Sequence, residues 1–398
     1  MDINEVTGRV EIAGLGARGD GLAGDLAVAF TLPGDIIEDG QLVAHSSGRA
    51  DPVCRHFGSC GGCLLQHASD PFLAGWKSGL VAQALRSQGL PEEIRALHVS
   101  PPASRRRVVF SGRRTKKTVQ LGFFERRSEV LVPITECPLL VPQIMASFEA
   151  LKAVVRMAAT RSSVVKLAVT ASEVGLDLAV TGARELEPGA VGTLAEVAGD
   201  FARVAWNGEV ILLKEQPVQR FGKALVVPPS GAFLQATREG EAALVASVLG
   251  AVGAGAKVMD LFAGCGTFSL PLAAHHDVHA IEFEDEMLAA LHAGWRKAEG
   301  LKHISIEARN LFRRPVLASE FKGYGAVVLD PPRAGAAAQA QELAASDVAR
   351  IVHVSCNPTT FAREARVFAD AGFQLNWVDV VDQFRWSPHV ELVGCFTR

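Results

Sequence analysis

Apolar and polar side chains alternate over residues 6–12, the period of a strand with one buried face. Glycines at 14, 16, 19 and 21 mark turns behind it. A second apolar run covers residues 26–30, and Pro33-Gly34-Asp35 makes another turn. Residues 1–50 therefore predict a small OB-like β-barrel, an architecture that often holds nucleic acid. A β-rich docking module without a ligand fits the same spacing. Three apolar runs at 108–110, 119–124 and 130–132 predict antiparallel strands, and 164–170 and 176–180 predict two more. After residue 226 the period changes. Residues 239–249 repeat with a helical period and lead into an apolar run, a Gly-containing turn and a second helix, residues 256–270. Apolar runs at 278–282, 325–329 and 349–354 read as buried strands. Short buried strands between helices predict an α/β fold with a mainly parallel sheet. The boundaries are a barrel at 1–50, a β-rich central domain at 51–226 whose helical part near 70–95 packs on the last domain, and an α/β domain at 227–398.

The chain of 398 residues is long enough for two or three domains. Its 48% hydrophobic and 21% charged content is that of a globular protein. The start, Met1-Asp2-Ile3-Asn4-Glu5, is acidic and lacks the apolar core of a secretory signal. The most apolar stretch, 242–256, is too short to span a bilayer. Seven cysteines cannot all pair within one chain, which favours a reducing compartment. A soluble cytoplasmic protein without a membrane partner is expected. A net charge of −3 excludes a uniformly basic coat, but not a local one. Residues 105–127 carry Arg105-Arg106-Arg107, Arg113-Arg114, Lys116-Lys117 and Arg126-Arg127 against Glu125 and Glu129. Such a cluster can neutralise phosphates and release counterions, and interleaved aromatics could stack on unpaired bases. A solvated sheet face is the alternative.

Cys54, Cys60 and Cys63 lie in one short loop where Gly61-Gly62 lets the backbone fold tightly around an ion, and Cys137 offers a fourth thiol. Four thiolates suit structural zinc or an iron–sulfur cluster. The spacing is not that of paired CxxC motifs, which favours iron–sulfur; reduced, unliganded thiols are the alternative. Four protein ligands leave no open position, so the site would support the fold. Further on, Asp260-Leu261-Phe262-Ala263-Gly264-Cys265-Gly266-Thr267 joins a strand to a helix, and Glu282 ends the next strand. Two glycines admit a ligand close to the backbone, and an acidic strand tip can accept ribose hydroxyls. That order fits a nucleoside cofactor without a pyrophosphate, of which S-adenosyl-L-methionine is the common one. Asp330-Pro331-Pro332-Arg333 ends another buried strand in a stiff loop. Finally, Val354-Ser355-Cys356-Asn357-Pro358 places a thiol at the carboxyl end of a strand, where open α/β sheets bind ligands. Cys356 is a nucleophile if a neighbour or a substrate activates it, and otherwise an inert core residue.

Taken together, Asp260–Thr267, Asp330-Pro331-Pro332-Arg333-Ala334-Gly335 and Ser355-Cys356-Asn357-Pro358 resemble the RNA uracil-5-methyltransferase family, whose members form 5-methyluridine in rRNA and tRNA. The resemblance covers nearly the whole chain. It implies a Rossmann-like class I methyltransferase domain, preceded by a TRAM barrel and a β-rich central domain holding a [4Fe–4S] cluster. Cys54, Cys60, Cys63 and Cys137 match the cluster ligands of the 23S rRNA-directed branch. Phe233-Leu234-Gln235-Ala236-Thr237 resembles the family's Phe-x-Gln-x-Asn, with Thr237 in place of Asn, and His389-Val390-Glu391 resembles its His-x-Glu. By resemblance Gln235, Phe262, Thr267, Glu282, Asn310 and Asp330 line the cofactor pocket, Cys356 is the nucleophile and Glu391 the base. The implied reaction is a Cys356 addition at C6 of a flipped-out uridine, methyl transfer to C5, and proton removal by Glu391. The pattern around Glu391 is an apolar strand with half its positions open to solvent. Cys265 and Cys395 match no role and read as packing residues. The expected partner is RNA, foremost 23S rRNA, bound by a monomer. Uridine-5 methylation of tRNA, cytosine-5 methylation, and a non-catalytic iron–sulfur RNA-binding protein are the rivals.

Overall fold

The computed structural model describes residues 1–187 and 189–398. Its largest sheet has eight strands: β1 (Ile94–Val99), β2 (Val258–Leu261), β3 (Val278–Glu282), β4 (Ile304–Ala308), β5 (Ala326–Leu329), β6 (Arg350–Ser355), β7 (Gln374–Asp382) and β8 (Glu391–Thr397). Their order is β4-β3-β2-β5-β6-β8-β7-β1. The five strands from β4 to β6 are parallel. β8 inserts antiparallel between β6 and β7. Every residue of β2 and β5 is buried, as expected of parallel strands covered on both faces. Helices Arg238–Val252 and Asp285–Lys297 cover one face through Leu244, Val248 and Leu291. Helices Asp70–Arg86, Ala337–Ala345 and Pro358–Asp370 cover the other through Val81, Leu85, Leu343, Phe361 and Phe368. The chain leaves β2 for β3 on one side and continues to β5 on the other. That reversal opens a crevice at the carboxyl ends of β2 and β5, where such sheets bind ligands.

Helix Asp70–Arg86 and strand β1 both belong to the catalytic body: β1 pairs in parallel with β7, from Ile94 against Val378 to Val99 against Asp382. An unpaired β7 would expose a row of backbone groups, and β1 covers it. The buried Lys77 of the same helix reaches Asp382 at 2.6 Å and the Phe384 carbonyl at 3.1 Å.

The rest of the central region is a seven-stranded sheet backed by helix Phe148–Ala158. Strands Arg107–Arg114, Val119–Phe124 and Leu131–Pro133 are antiparallel neighbours, as the apolar runs predict. Gly122 lets two of them meet: a Cβ there would stand 2.0 Å from the Val132 carbonyl oxygen. Residues 1–50 form two three-stranded antiparallel sheets around Val6, Ile12, Val28 and Ile37. A bidentate pair from Arg126 to Asp20, both bonds 2.6 Å, ties them to the central sheet. No helix among the described residues is long and apolar enough to cross a membrane.

Candidate active site

Strand β6 ends at Ser355, and Cys356 is the next residue. Asn357 then caps helix Pro358–Asp370, its Oδ1 accepting from the Thr359 N–H at 3.1 Å. Its Nδ2 donates to the Arg333 carbonyl at 3.1 Å, which binds the Cys356 turn to the Asp-Pro-Pro-Arg loop after β5. Cys356 is half-buried and lines a cavity of about 1080 Å³. Across the ladder, Ser355 pairs with Leu392 in antiparallel register. Cys356 follows the last registered rung on one strand, and Glu391 precedes Leu392 on the other. Glu391 is 5% exposed, as buried as the strand that follows it. The half-exposed strand expected there is incorrect, because β6 and β7 flank β8 on both sides.

Three acidic groups share this corner. Burial, then Asp330, pushes the Glu391 carboxyl up to about 8, against a hydrogen bond from Gln383 that favours its charged form. Burial, then Asp260, pushes Asp330 up to about 7. Burial, then Glu391 and Asp330, pushes the Cys356 thiol up to about 11, with Arg333 opposing. A carboxyl that titrates near neutrality can take a proton from a reacting carbon without being permanently ionised.

Around the crevice, Phe262 adopts a left-handed φ of 63°, and Gly264 and Gly266 follow at 55° and 98°. At Gly266 a Cβ would lie within 2.9 Å of Leu270 and Leu291, so only glycine lets this loop close on its helix. The Glu282 carboxylate accepts from the Gly264, Phe283 and Glu284 N–H groups at 3.0, 2.6 and 3.1 Å. It thereby joins the glycine loop to the tip of β3. Asn310 Oδ1 accepts from the Phe312 and Arg313 N–H groups, shaping the turn after β4. That turn brings the Phe312 ring to 5.5 Å from Phe262. Phe283 and Phe312 are 63% and 55% exposed; such apolar rings left open beside a glycine loop suit the flat base of a nucleoside. Phe262, half-buried Thr267, Glu282, Asn310 and Asp330 thus gather at the ends of neighbouring strands. Gln235 is buried, and its Oε1 accepts from Gln383 Nε2. Thr237 caps helix Arg238–Val252, accepting from Gly240 N–H at 2.9 Å, and bonds Ser100 at 2.7 Å. Threonine and asparagine both cap helices well.

Cys54, Cys60, Cys63 and Cys137 line the same cavity as Cys356. Burial pushes the Cys63 thiol up to about 12, with Gln66 opposing and Cys137, Cys60 and Cys54 adding to the rise. Among the described residues no three His, Cys, Asp or Glu side chains converge tightly enough to hold a single metal ion. Burial lowers the pKa of the half-buried Arg105 beside these thiols, with Cys137 and Cys63 opposing.

The basic stretch divides. Arg106 is buried and paired with Glu241 on helix Arg238–Val252, which removes it from any RNA surface. Arg126 is committed to Asp20. Phe110 is fully buried, and Phe123 packs on it with ring centres 5.3 Å apart, so the exposed stacking expected of these aromatics is incorrect for Phe110. Arg105 and Arg107 line the cavity, while Lys116, Lys117 and Arg127 are exposed. Cys265 and Cys395 are buried. Lys77 and Gln383, which frame the Glu391 corner, belong to no motif; only the fold gathers them.

A family model described as tRNA (Uracil-5-)-methyltransferase matches residues 230–397. An uncharacterized RNA methyltransferase of Brucella suis is 44% identical, covering 98% of both chains. One from Caulobacter vibrioides is 45% identical over 97% of this chain and 99% of its own. The 23S rRNA (uracil(1939)-C(5))-methyltransferase RlmD of Hahella chejuensis is 29% identical over 90% of this chain and 86% of that protein. The crystal structure of Pyrococcus abyssi tRNA (uracil-54, C5)-methyltransferase in complex with S-adenosyl-L-homocysteine has the same fold, with a TM-score of 0.78 at 22% identity over 98% and 99% of the two chains. Relatives this similar along the whole chain, joined to that family model, show that the chain belongs to the S-adenosylmethionine-dependent RNA uracil-5-methyltransferase family.

Proposed function

We propose that the protein methylates C5 of a uridine in 23S rRNA through a covalent bond between Cys356 and C6 of the ring. The observation that carries this reading is that Cys356, one residue past the Ser355–Leu392 rung, lies near enough to Glu391 and Asp330 for both to raise its thiol pKa. In the free protein the sulfur is held as a thiol; as the ring docks, the S–H proton is given up to water, Arg333 favours the thiolate that remains, and the ring takes up its charge on addition. As the S–C6 bond forms, the C5–C6 π pair moves onto C5 and O4, and C5 becomes nucleophilic. S-adenosylmethionine supplies the electrophilic methyl group that C5 takes. The ring then carries both the methyl group and a hydrogen on C5. Glu391 removes that proton, the C–H pair rebuilds the C5–C6 double bond, and the S–C6 pair returns to Cys356. Asp330 orients the pyrimidine at the end of β5. Gln235, Phe262, Thr267, Glu282, Asn310 and Asp330 are assigned to the donor cleft.

The four cavity cysteines are assigned to a [4Fe–4S] cluster that supports the RNA-facing fold. Residues 1–50 are assigned as a TRAM-like module, the central sheet as the RNA platform, and the protein as a cytoplasmic monomer. The four-cysteine set, matching the rRNA-directed branch, supports 23S rRNA as target.

The test uses 23S rRNA and tRNA transcripts carrying tritium at uridine C5. The wild type should release tritium from 23S rRNA and form 5-methyluridine there. Cys356→Ala should release none and form no denaturation-resistant RNA complex. Methylation by the Ala variant would refute the covalent reading, and product in tRNA alone would reassign the target.

A further inference from the structure

We infer that Arg309 is a positioning residue for the methyl donor, holding the turn after β4 in the shape that borders the donor cleft; this rests on Asn310 lining that cleft. β4 is the edge strand of the large sheet, so the turn that leaves it has a strand on one side only. Leu311 and Val316 anchor its two ends in the core, while Phe312, Arg313 and Arg314 stay outside. Val316 is held twice more by the buried Gln339, whose Oε1 accepts from its N–H at 2.8 Å and whose Nε2 donates to its carbonyl at 3.0 Å.

The backbone between those anchors still has polar groups to satisfy, and two neighbouring residues satisfy them. Asn310 takes the donors: Oδ1 accepts from the Phe312 and Arg313 N–H groups, and its carbonyl accepts from those of Arg313 and Arg314 at 3.1 and 2.8 Å. Arg309 takes the acceptors: Nε donates to the Arg314 carbonyl at 2.8 Å, and Nη2 to the Pro315 carbonyl at 2.6 Å. Nη1 and Nη2 also donate to the two Glu320 oxygens at 2.8 and 3.0 Å, and Nη1 to Glu307 at 3.4 Å. All five N–H groups of the guanidinium are thereby spent. The hydrogen bond from Arg309, with burial opposing, holds the Glu320 carboxyl down at about 2, so the pair stays charged at any working pH.

The same residue is registered on the cleft from behind. Its backbone N–H donates to the Glu282 carbonyl at 2.8 Å, at the tip of β3 whose carboxylate holds the glycine loop. Arg309 thus fixes the distance between that acidic tip and the turn carrying Asn310 and Phe312. A lysine would keep the charge but not the planar fork that reaches two carbonyls and a carboxylate at once. If a turn without the fork keeps the competent shape about a tenth of the time, the apparent Kd for the donor rises about tenfold. β6, which leads to Cys356, is separated from β4 by β3, β2 and β5, so chemistry at saturating donor should be spared.

The experiment measures S-adenosylmethionine binding to the whole chain by calorimetry for Arg309→Lys, Arg309→Met, Glu320→Gln, Asn310→Ala and Phe312→Ala, each first shown to be folded at the assay temperature by its thermal midpoint. Turnover is then followed against donor concentration on the transcript that the wild type methylates. Both Arg309 variants should raise the Kd and the donor KM about tenfold, with kcat at saturating donor and the KM for RNA unchanged. If Asn310→Ala and Phe312→Ala bind the donor like the wild type, the turn lies outside the cleft and the cleft assignment fails. If those two weaken binding while Arg309→Lys keeps wild-type affinity, the positioning role alone is overturned. A fall in kcat at saturating donor with the donor KM unchanged would overturn it as well. Should the Arg309 variants not fold, Glu320→Gln carries the test: weaker donor binding supports the role, and wild-type binding overturns it.

Discussion

Glu391→Gln should make the protein more resistant to heat in alkaline buffer while disabling it. The carboxyl is 5% exposed and its pKa is pushed from an ordinary 4.5 up to about 8. The folded protein therefore binds this proton more tightly than the unfolded chain does. Between those two values the unfolded state carries fewer protons, so stability falls as pH rises, and the full loss is reached above about pH 8. At 1.36 kcal/mol for each tenfold change in proton affinity, the gap corresponds to at most about 5 kcal/mol. Two effects reduce it. Asp330 titrates in the same corner, so part of the cost belongs to the pair. A glutamine amide must also find an orientation that accepts from Gln383, and any mismatch costs about 1–3 kcal/mol. A net gain of about 2 kcal/mol should remain in alkaline buffer, or several degrees in thermal midpoint. The assay is the midpoint difference between variant and wild type near pH 5 and near pH 9, where titrations not coupled to Glu391 cancel. The difference should be close to zero or negative in acid and positive in base. A difference that does not change with pH would falsify the burial argument.

Breaking the buried Lys77–Asp382 pair with Lys77→Met should cost about 3–5 kcal/mol in urea unfolding, and adding Asp382→Leu should recover much of it; no recovery would mean that packing, not charge, sets the cost. Replacing exposed Lys116, Lys117 and Arg127 by Ala should lower the slope of log affinity against log salt by up to about one for each RNA phosphate left without its cation. An unchanged slope would move the RNA surface elsewhere. Cys137→Ser should lower the iron and sulfide content of protein purified without oxygen, and equal content in both would remove Cys137 from the ligand set.

Much of the architecture was legible because buried parallel strands are short apolar runs: those ending at Leu261, Glu282, Leu329 and Ser355 all stand in the sheet. Glycines 264 and 266 announced a loop that the observed φ values require. What escaped was set by distant partners. Residues 94–99 mix apolar and polar positions, and their membership of the catalytic sheet depends on β7, nearly the whole chain away. Arg106 sits between two other arginines, and nothing local says that it turns inward to Glu241. Glu391 looks half-exposed because an alternating reading assumes one wet face, whereas a strand enclosed by neighbours and helices has none. Gln383 lies in Asp-Gln-Phe-Arg-Trp, where nothing local says that it joins Gln235 and the Ala236 N–H, almost 150 residues earlier.

The late partner of β1 also orders events at the ribosome. Arg95 is ion-paired with Asp379, a residue made 284 positions later. Until β7 emerges β1 has no strand to pair with, and the Val81 and Leu85 face of its helix waits for the helix Pro358–Asp370 just before it. Nascent chains must hold that face for nearly the whole of synthesis, and pairings this remote in sequence form slowly. A fragment starting at residue 227 would carry the reacting side chains yet leave β7 as a bare edge, open to another copy. Truncation aimed at a minimal enzyme should therefore keep residues 70–99, fused if need be to the far end of the chain.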